Sequence, residues 1–192
     1  MDYKQIESGV QKIYDSMGEK YITKTKEIWS DKNHLVSFLS LLTGNKILDI
    51  GCGVGEVLSF CFEQGFNVTG IDISKELLTI AQRNVPKAKL YHDSFYNMEN
   101  INETFDGIIA SYVLVHVPKE KADFIIKSIK SKLNDNGKVL LIFTKAQITN
   151  EYMTNYDVNE VEHILKKNNF HIISSKEIFS NLKTGIIIAE KI

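Results

Sequence analysis

The sequence predicts an α/β fold: a doubly wound sheet of seven strands, mostly parallel, with helices on both faces and an antiparallel C-terminal hairpin. Three observations predict it. From Lys46 onward, short apolar runs alternate with amphipathic stretches of helical period. The first apolar run, Lys46–Ile50, leads straight into glycines at alternate positions, Gly51, Gly53 and Gly55. The chain also closes on two apolar runs with no helical stretch between them, so that pair must meet antiparallel.

The elements follow in order. Ile6, Val10, Ile13 and Met17 recur at helical spacing and predict an opening amphipathic helix. Leu35, Phe38, Leu39 and Leu42 mark one face of a second helix, ended by Thr43-Gly44-Asn45. After the strand Lys46–Ile50, a helix starts near Gly55 and stops at Gly65, a residue suited to a left-handed cap. Asn67–Asp72 is the second strand. Ser74 caps the next helix, whose apolar face carries Leu77, Leu78 and Ala81 and which breaks at Val85-Pro86. Lys89–Tyr91 and Phe105–Ser111 are the third and fourth strands. A helix with Ala122, Ile125, Ile126, Ile129 and Leu133 on one face follows, then a tight turn at Asn134-Asp135-Asn136-Gly137 and the strand Lys138–Phe143. Asp157 and Glu160 are spaced as a capping box for a last helix through Leu165. Phe170–Ser175 and Ile186–Glu190 are the closing strands.

Length and composition narrow the function. The 192 residues, 43% of them hydrophobic, fit one domain with a continuous core. With 23 basic and 24 acidic residues the formal charge is −1, and Arg83 is the only arginine. Arginine forks dominate base and phosphate recognition, so no nucleic-acid partner is expected. Cys52 and Cys61 are too few for a disulfide framework or a zinc cluster, which suits a reducing compartment. The polar opening MDYKQIESGV lacks a signal core, and no apolar run approaches the ~20 residues of a membrane helix. The expectation is a cytoplasmic protein without membrane or metal partners, its oligomeric state open.

The chemistry lies in Ile47-Leu48-Asp49-Ile50-Gly51-Cys52-Gly53-Val54-Gly55. Glycines there permit positive φ and let a ligand lie against bare backbone, at a helix N-terminus with free amides. The second strand ends in Asp72, beside the same crevice, where a carboxylate can accept from both hydroxyls of a ribose. Together these features predict an adenosine ligand. Where a dinucleotide site has its third glycine, this chain has Glu56, which would repel a pyrophosphate, and no phosphate-loop signature is present. A cationic ligand without phosphate, such as S-adenosylmethionine, suits Asp49 and Glu56 better. A nicotinamide-dependent oxidoreductase and a non-catalytic cofactor-binding module stand as alternatives.

The stretches ILDIGCGVGE and VTGIDIS resemble the first two motifs of the Rossmann-like, class I S-adenosylmethionine-dependent methyltransferases. Tyr91-His92-Asp93-Ser94 resembles their third motif, Phe105–Ser111 followed by Leu114–Pro118 their fourth strand and exit loop, and Leu133–Leu141 their turn and fifth strand. The resemblance covers roughly residues 35–192, and residues 1–34 would then form an N-terminal helical cap or lid. It implies that Gly51, Gly53 and Gly55, with Cys52 among them, line the methionine part of the cofactor with Asp49 beneath. It implies that Asp72 holds the ribose, Ile73 flanks the adenine, Asp93 and the Ser94 backbone meet the adenine edge, and Ser111 lies near the sulfonium. The acceptor is expected to be a small molecule. His116, in the exit loop, is a candidate base or a packed loop residue. Tyr14 and Tyr21, with Trp29, are candidates for an aromatic lid over the sulfonium or acceptor, or for helix packing. Tyr152 and Tyr156 are candidates for the acceptor roof, or for a surface loop.

Overall fold

The computed structural model describes residues 3–23, 32–144, 152–179 and 183–192. Trp29 lies outside them. Seven strands form one sheet in the order β3-β2-β1-β4-β5-β7-β6. They are β1 (Lys46–Ile50), β2 (Asn67–Asp72), β3 (Lys89–His92), β4 (Phe105–Ser111), β5 (Leu133–Thr144), β6 (Phe170–Phe179) and β7 (Lys183–Lys191). Pairings β1–β2, β1–β4, β2–β3 and β4–β5 are parallel, while β7 runs antiparallel to both β5 and β6. The final strand therefore inserts between β5 and β6, and β6 is the edge. β7 has the apolar run Ile186-Ile187-Ile188-Ala189, all buried, and so takes the covered place.

The helices are α1 (Tyr3–Met17), α2 (Asn33–Leu39), α3 (Glu56–Glu63), α4 (Lys75–Asn84), α5 (Lys119–Lys132) and α6 (Val158–Lys167). Side-chain alternation along each strand feeds two cores. Ile47 and Ile109 face the core with Leu35 and Phe38 of α2 and Leu58 of α3. Leu48, Ile50 and Ile108 face the core with Ile125 and Ile129 of α5 and Leu165 of α6. Local signals act as expected. Gly65 sits at φ 89 beyond α3, the Ser74 hydroxyl accepts from Leu77 N–H at 3.2 Å, and Asp157 with Glu160 forms a reciprocal capping box on α6.

Two expectations are corrected. The turn Asn134–Gly137 is not a separate loop before the fifth strand. β5 already pairs at Leu133, opposite Phe105, and resumes at Lys138, opposite Gly107, with Asn136 at φ 60. The four intervening residues bulge out of the ladder because β4 supplies only one residue between those pairs. In α1, Ile13 is 36% exposed and does not share the inward face of Ile6 and Val10. That face continues instead through Tyr14, which packs with Tyr21 on Val54, Leu77 and Ile80.

The order β3-β2-β1-β4-β5 places the reversal of winding between β1 and β4. A crevice opens there, outside the C-terminal ends of the strands.

Candidate active site

The first glycine turn is held by hydrogen bonds. Gly51 and Cys52 N–H both donate to Ile71 O, at 2.8 and 3.1 Å. Gly51, Gly53 and Gly55 have φ of 69, 52 and 84, where a side chain would be strained. Gly55 is the N-cap of α3 and packs toward Ala81, so its role is to seat the loop, and it does not line the cleft. Asp72 organises the rest. One carboxylate oxygen accepts from Gly53 N–H and the other from Ser74 N–H, both at 2.8 Å. The sequence pointed to Asp72 as a ligand group; it is also the link that ties the glycine loop to the β2 exit. Two carboxylate oxygens offer about four acceptor positions, so capacity for a ligand hydroxyl is left.

A cleft that opens to solvent lies over these strand ends, where ligands bind in doubly wound sheets. Gly51, Gly53, Asp72, Ile73, Asp93 and Ser111 face it, as do Tyr14, Tyr21 and His116. A continuation lined by Asp49, Cys52, Glu56 and Tyr112 shares Gly51, Gly53, Tyr21 and Ser111 with it. The structure thus brings nearly all the expected residues to one cleft. Ser94 does not line it: its hydroxyl bonds Glu7 of α1 and accepts from Tyr96 N–H at 3.0 Å. Tyr156 is corrected from acceptor roof to core, since it is 2% exposed and donates to Val117 O at 2.9 Å. Tyr152 turns its carbonyl to His116, and its ring packs against Gly9 of α1.

Sequence reasoning missed Val10, Leu77, Phe95, Tyr112 and Val113 as lining residues. Tyr112 carries a local signature only in three dimensions: its φ of 57 turns the chain out of β4, while its N–H donates to Ile142 O at 2.7 Å. Also unseen were the bonds that seat α1 across the cleft. Glu7 bonds Ser94 after β3, and Asp15 accepts from Ser74 after β2 at 2.6 Å. Tyr14 donates to His116 after β4, with O and Nε2 3.0 Å apart.

Burial sets the electrostatics. Desolvation, with the neighbouring Asp72 charge, holds the Asp49 carboxyl well above the usual carboxylate range. Asp72 is raised too, by desolvation that its three backbone hydrogen bonds only partly offset. Burial pushes the Cys52 thiol far up, so it is an inert filler rather than a nucleophile. Burial lowers His116 and leaves it neutral at neutral pH. It raises Tyr14 to about 12, aided by the Asp72 charge.

A family model described as a methyltransferase domain matches residues 21–171. The chain belongs to this methyltransferase family. Among curated relatives, an uncharacterized methyltransferase of Alkaliphilus oremlandii is 27% identical over 150 residues, covering 74% of this chain and 69% of its own. A ubiquinone biosynthesis O-methyltransferase of Actinobacillus pleuropneumoniae is 34% identical over 123 residues, covering 58% and 50%. Among solved structures, the magnesium protoporphyrin IX methyltransferase of Synechocystis with bound S-adenosylmethionine superposes with a TM-score of 0.77 at 19% identity, over 100% of this chain and 98% of that one. The fold is therefore that of the Rossmann-like methyltransferases, and the cofactor is S-adenosylmethionine.

The residues present fit that cofactor. Among the described residues, Asp49 Oδ2 and Ser111 Oγ are buried without a hydrogen-bond partner, and both residues line the glycine-loop end of the cleft. Orphaned buried acceptors are costly unless a ligand meets them. An ammonium group can donate to both oxygens, whereas a pyrophosphate, with only acceptors and negative charge, does not suit the Asp49 carboxyl. Among the described residues, no helix is long and apolar enough to cross a membrane.

Proposed function

We propose that this methyltransferase acts on a small molecule by in-line displacement within the cleft. The observation that carries this reading is the seating of α1. The helix spans the strand ends, bonded to the loops after β2, β3 and β4, and lies over the cleft that Val10, Tyr14 and the strand ends line. A cleft covered by a helix in this way favours a compact acceptor over a polymer. The balanced charge and single arginine point the same way. The name of the Actinobacillus relative, an O-methyltransferase, supports an oxygen acceptor.

In this reading Asp49 and Ser111 meet the amino-acid end of the cofactor, over the bare backbone of Gly51 and Gly53. Asp72 accepts from the ribose, Ile73 flanks the base, and Asp93 meets its edge. Bound S-adenosylmethionine supplies an already activated methyl group. The protein therefore needs to position the acceptor in line and keep water out, a contribution that reaches about 7–11 kcal/mol where alignment is good. α1 supplies the closure. The test is transfer of labelled methyl groups to a metabolite pool, with calorimetry of S-adenosylhomocysteine and NAD alongside. Label in the small-molecule fraction, and NAD binding weaker than S-adenosylhomocysteine, are expected. Label confined to RNA, DNA or protein would overturn the small-molecule reading.

A further inference from the structure

We propose that the acceptor is an aromatic hydroxyl, and that Tyr14, backed by His116, receives its proton during methyl transfer. This rests on the small-molecule reading above. His116 sets the direction of the hydrogen bonds. Its Nδ1 lies 3.1 Å from the Tyr152 carbonyl, which can only accept. Nδ1 therefore carries the ring hydrogen, and Nε2 presents a bare lone pair. The Tyr14 hydroxyl, 3.0 Å away, must donate to it. The two rings meet edge to face, with centroids 5.7 Å apart and an interplanar angle of 90°. The phenol and imidazole are thus aligned in one direction, hydrogen pointing from Tyr14 to His116 and from His116 to the backbone.

The upstream end of this chain is already taken by a phenol. The Tyr21 ring stands edge-on to Tyr14, centroids 5.3 Å apart, and its hydroxyl donates to Tyr14. Tyr21 also lies against the glycine loop: its Cε1 is 3.2 Å from the position a Gly53 Cβ would occupy. An aromatic hydroxyl therefore sits beside the expected methyl-donor site and hands its hydrogen toward Tyr14. An acceptor hydroxyl placed where the Tyr21 hydroxyl stands meets the same chain. Val10 and Val113, which line this end of the cavity, offer apolar surface for an aromatic ring.

The step balances. The acceptor oxygen forms the new O–CH3 bond with a lone pair, while the S–CH3 bond breaks and leaves its electron pair on sulfur. The hydroxyl proton moves to the Tyr14 oxygen as the Tyr14 proton moves to His116 Nε2, and the imidazolium later releases it to water. Tyr14 touches the acceptor; His116 acts through Tyr14. The titratable groups facing the imidazole are Tyr14 and, behind it, Tyr21.

The test uses the full chain with labelled S-adenosylmethionine and a set of phenols of graded acidity, including 4-nitrophenol, each matched by its aniline. Phenols should be methylated in preference to the anilines. Tyr14→Phe, which keeps the ring packing, and His116→Asn should each lower kcat by about 10²-fold on the weakest acid. The loss should shrink toward none on 4-nitrophenol, which ionises without help. The wild-type profile should rise with pH along a limb below the ordinary histidine value, and that limb should vanish in His116→Asn. Without turnover, nitrogen NMR should show the Nδ1–H tautomer of His116, and its titration should move in Tyr14→Phe. Equal losses across the series, or anilines methylated in place of phenols, would overturn the proposal. So would S-adenosylhomocysteine binding with no phenol methylated, which leaves the small-molecule reading intact; label found only in polymers would instead remove that reading.

Discussion

Asp49→Asn should make the ligand-free protein more stable and the enzyme worse. Asp49 is 2% exposed, and its Oδ2 has no hydrogen-bond partner among the described residues. Desolvation and the Asp72 charge raise its pKa well above 3.8. The folded state thus holds this proton more tightly than the unfolded chain. Its contribution is fully favourable below the unfolded value and is lost as pH rises from there through the folded value. An amide of the same shape removes the charge. A buried, unsatisfied polar group costs about 1–3 kcal/mol, more when charged. For a chain of this size each kcal/mol moves Tm by roughly 2–4 °C. Thermal unfolding should therefore show a gain of about 2–12 °C at pH 8, shrinking at pH 4, where the wild-type carboxyl is protonated. The slope with pH should flatten without vanishing, because Asp72 is shifted in the same direction. Affinity for S-adenosylmethionine should fall about 10-fold or more, from loss of a charge-assisted bond. A variant less stable than wild type at both pH values, or one that binds the cofactor with unchanged affinity, would refute the account.

Asp72→Ala should weaken S-adenosylhomocysteine binding by calorimetry and also lower stability by about 1–3 kcal/mol, because Gly53 and Ser74 N–H lose their acceptor. Gly53→Ala should lose S-adenosylhomocysteine binding while keeping its far-ultraviolet circular dichroism: an L-residue at φ 52 costs roughly 1–2 kcal/mol, and the new methyl approaches Tyr21. Native affinity in that variant would show that the loop does not face the ligand. Gly9→Ala would drive a methyl into the Tyr152 ring and unseat α1, so hydrogen exchange over residues 3–17 should speed up while β1 and β4 stay protected. In the wild type, S-adenosylhomocysteine should slow exchange over the same residues.

The parts of the fold legible in the sequence are those whose signals are local. Lys46–Ile50 is a buried strand because four consecutive residues sit inside a sheet covered on both faces, and that leaves an apolar run. Ser74, Gly65 and the Asp157/Glu160 pair mark helix ends because capping is settled within four residues. The position of β7 was not legible. That two closing strands pair antiparallel follows from the missing helix, but that the last one inserts beside β5 depends on which edge its isoleucines cover, a long-range choice. The bulge at Asn134–Gly137 was hidden for the same reason: its residues favour a turn, and only the β4 partner shows that pairing begins before it.

The site divides along the same line. The proposed cofactor half lies on strand ends and the turns that follow them, so a motif of nine residues and one distant aspartate pointed to it. The proposed acceptor half is assembled between elements far apart in sequence. Tyr14 and His116 are separated by 102 positions, and His116 and Tyr152 by 36. Each alone reads as a packed aromatic or a loop histidine, since neither carries a partner nearby. What joins them is the seating of α1, fixed by Glu7 and, two turns later, by the adjacent Tyr14 and Asp15, each reaching the loop after a different strand. Tyr14 and Asp15, seven and eight residues after Glu7, share with it the inward side of Ile6 and Val10, which a hydrophobic periodicity count sees as an ordinary amphipathic stripe. In the proposed reading the same helix closes the cofactor cleft and delivers the phenol that meets the acceptor. A substitution on α1 should thus change cofactor closure and acceptor chemistry together, whereas one in the glycine loop should touch the cofactor first.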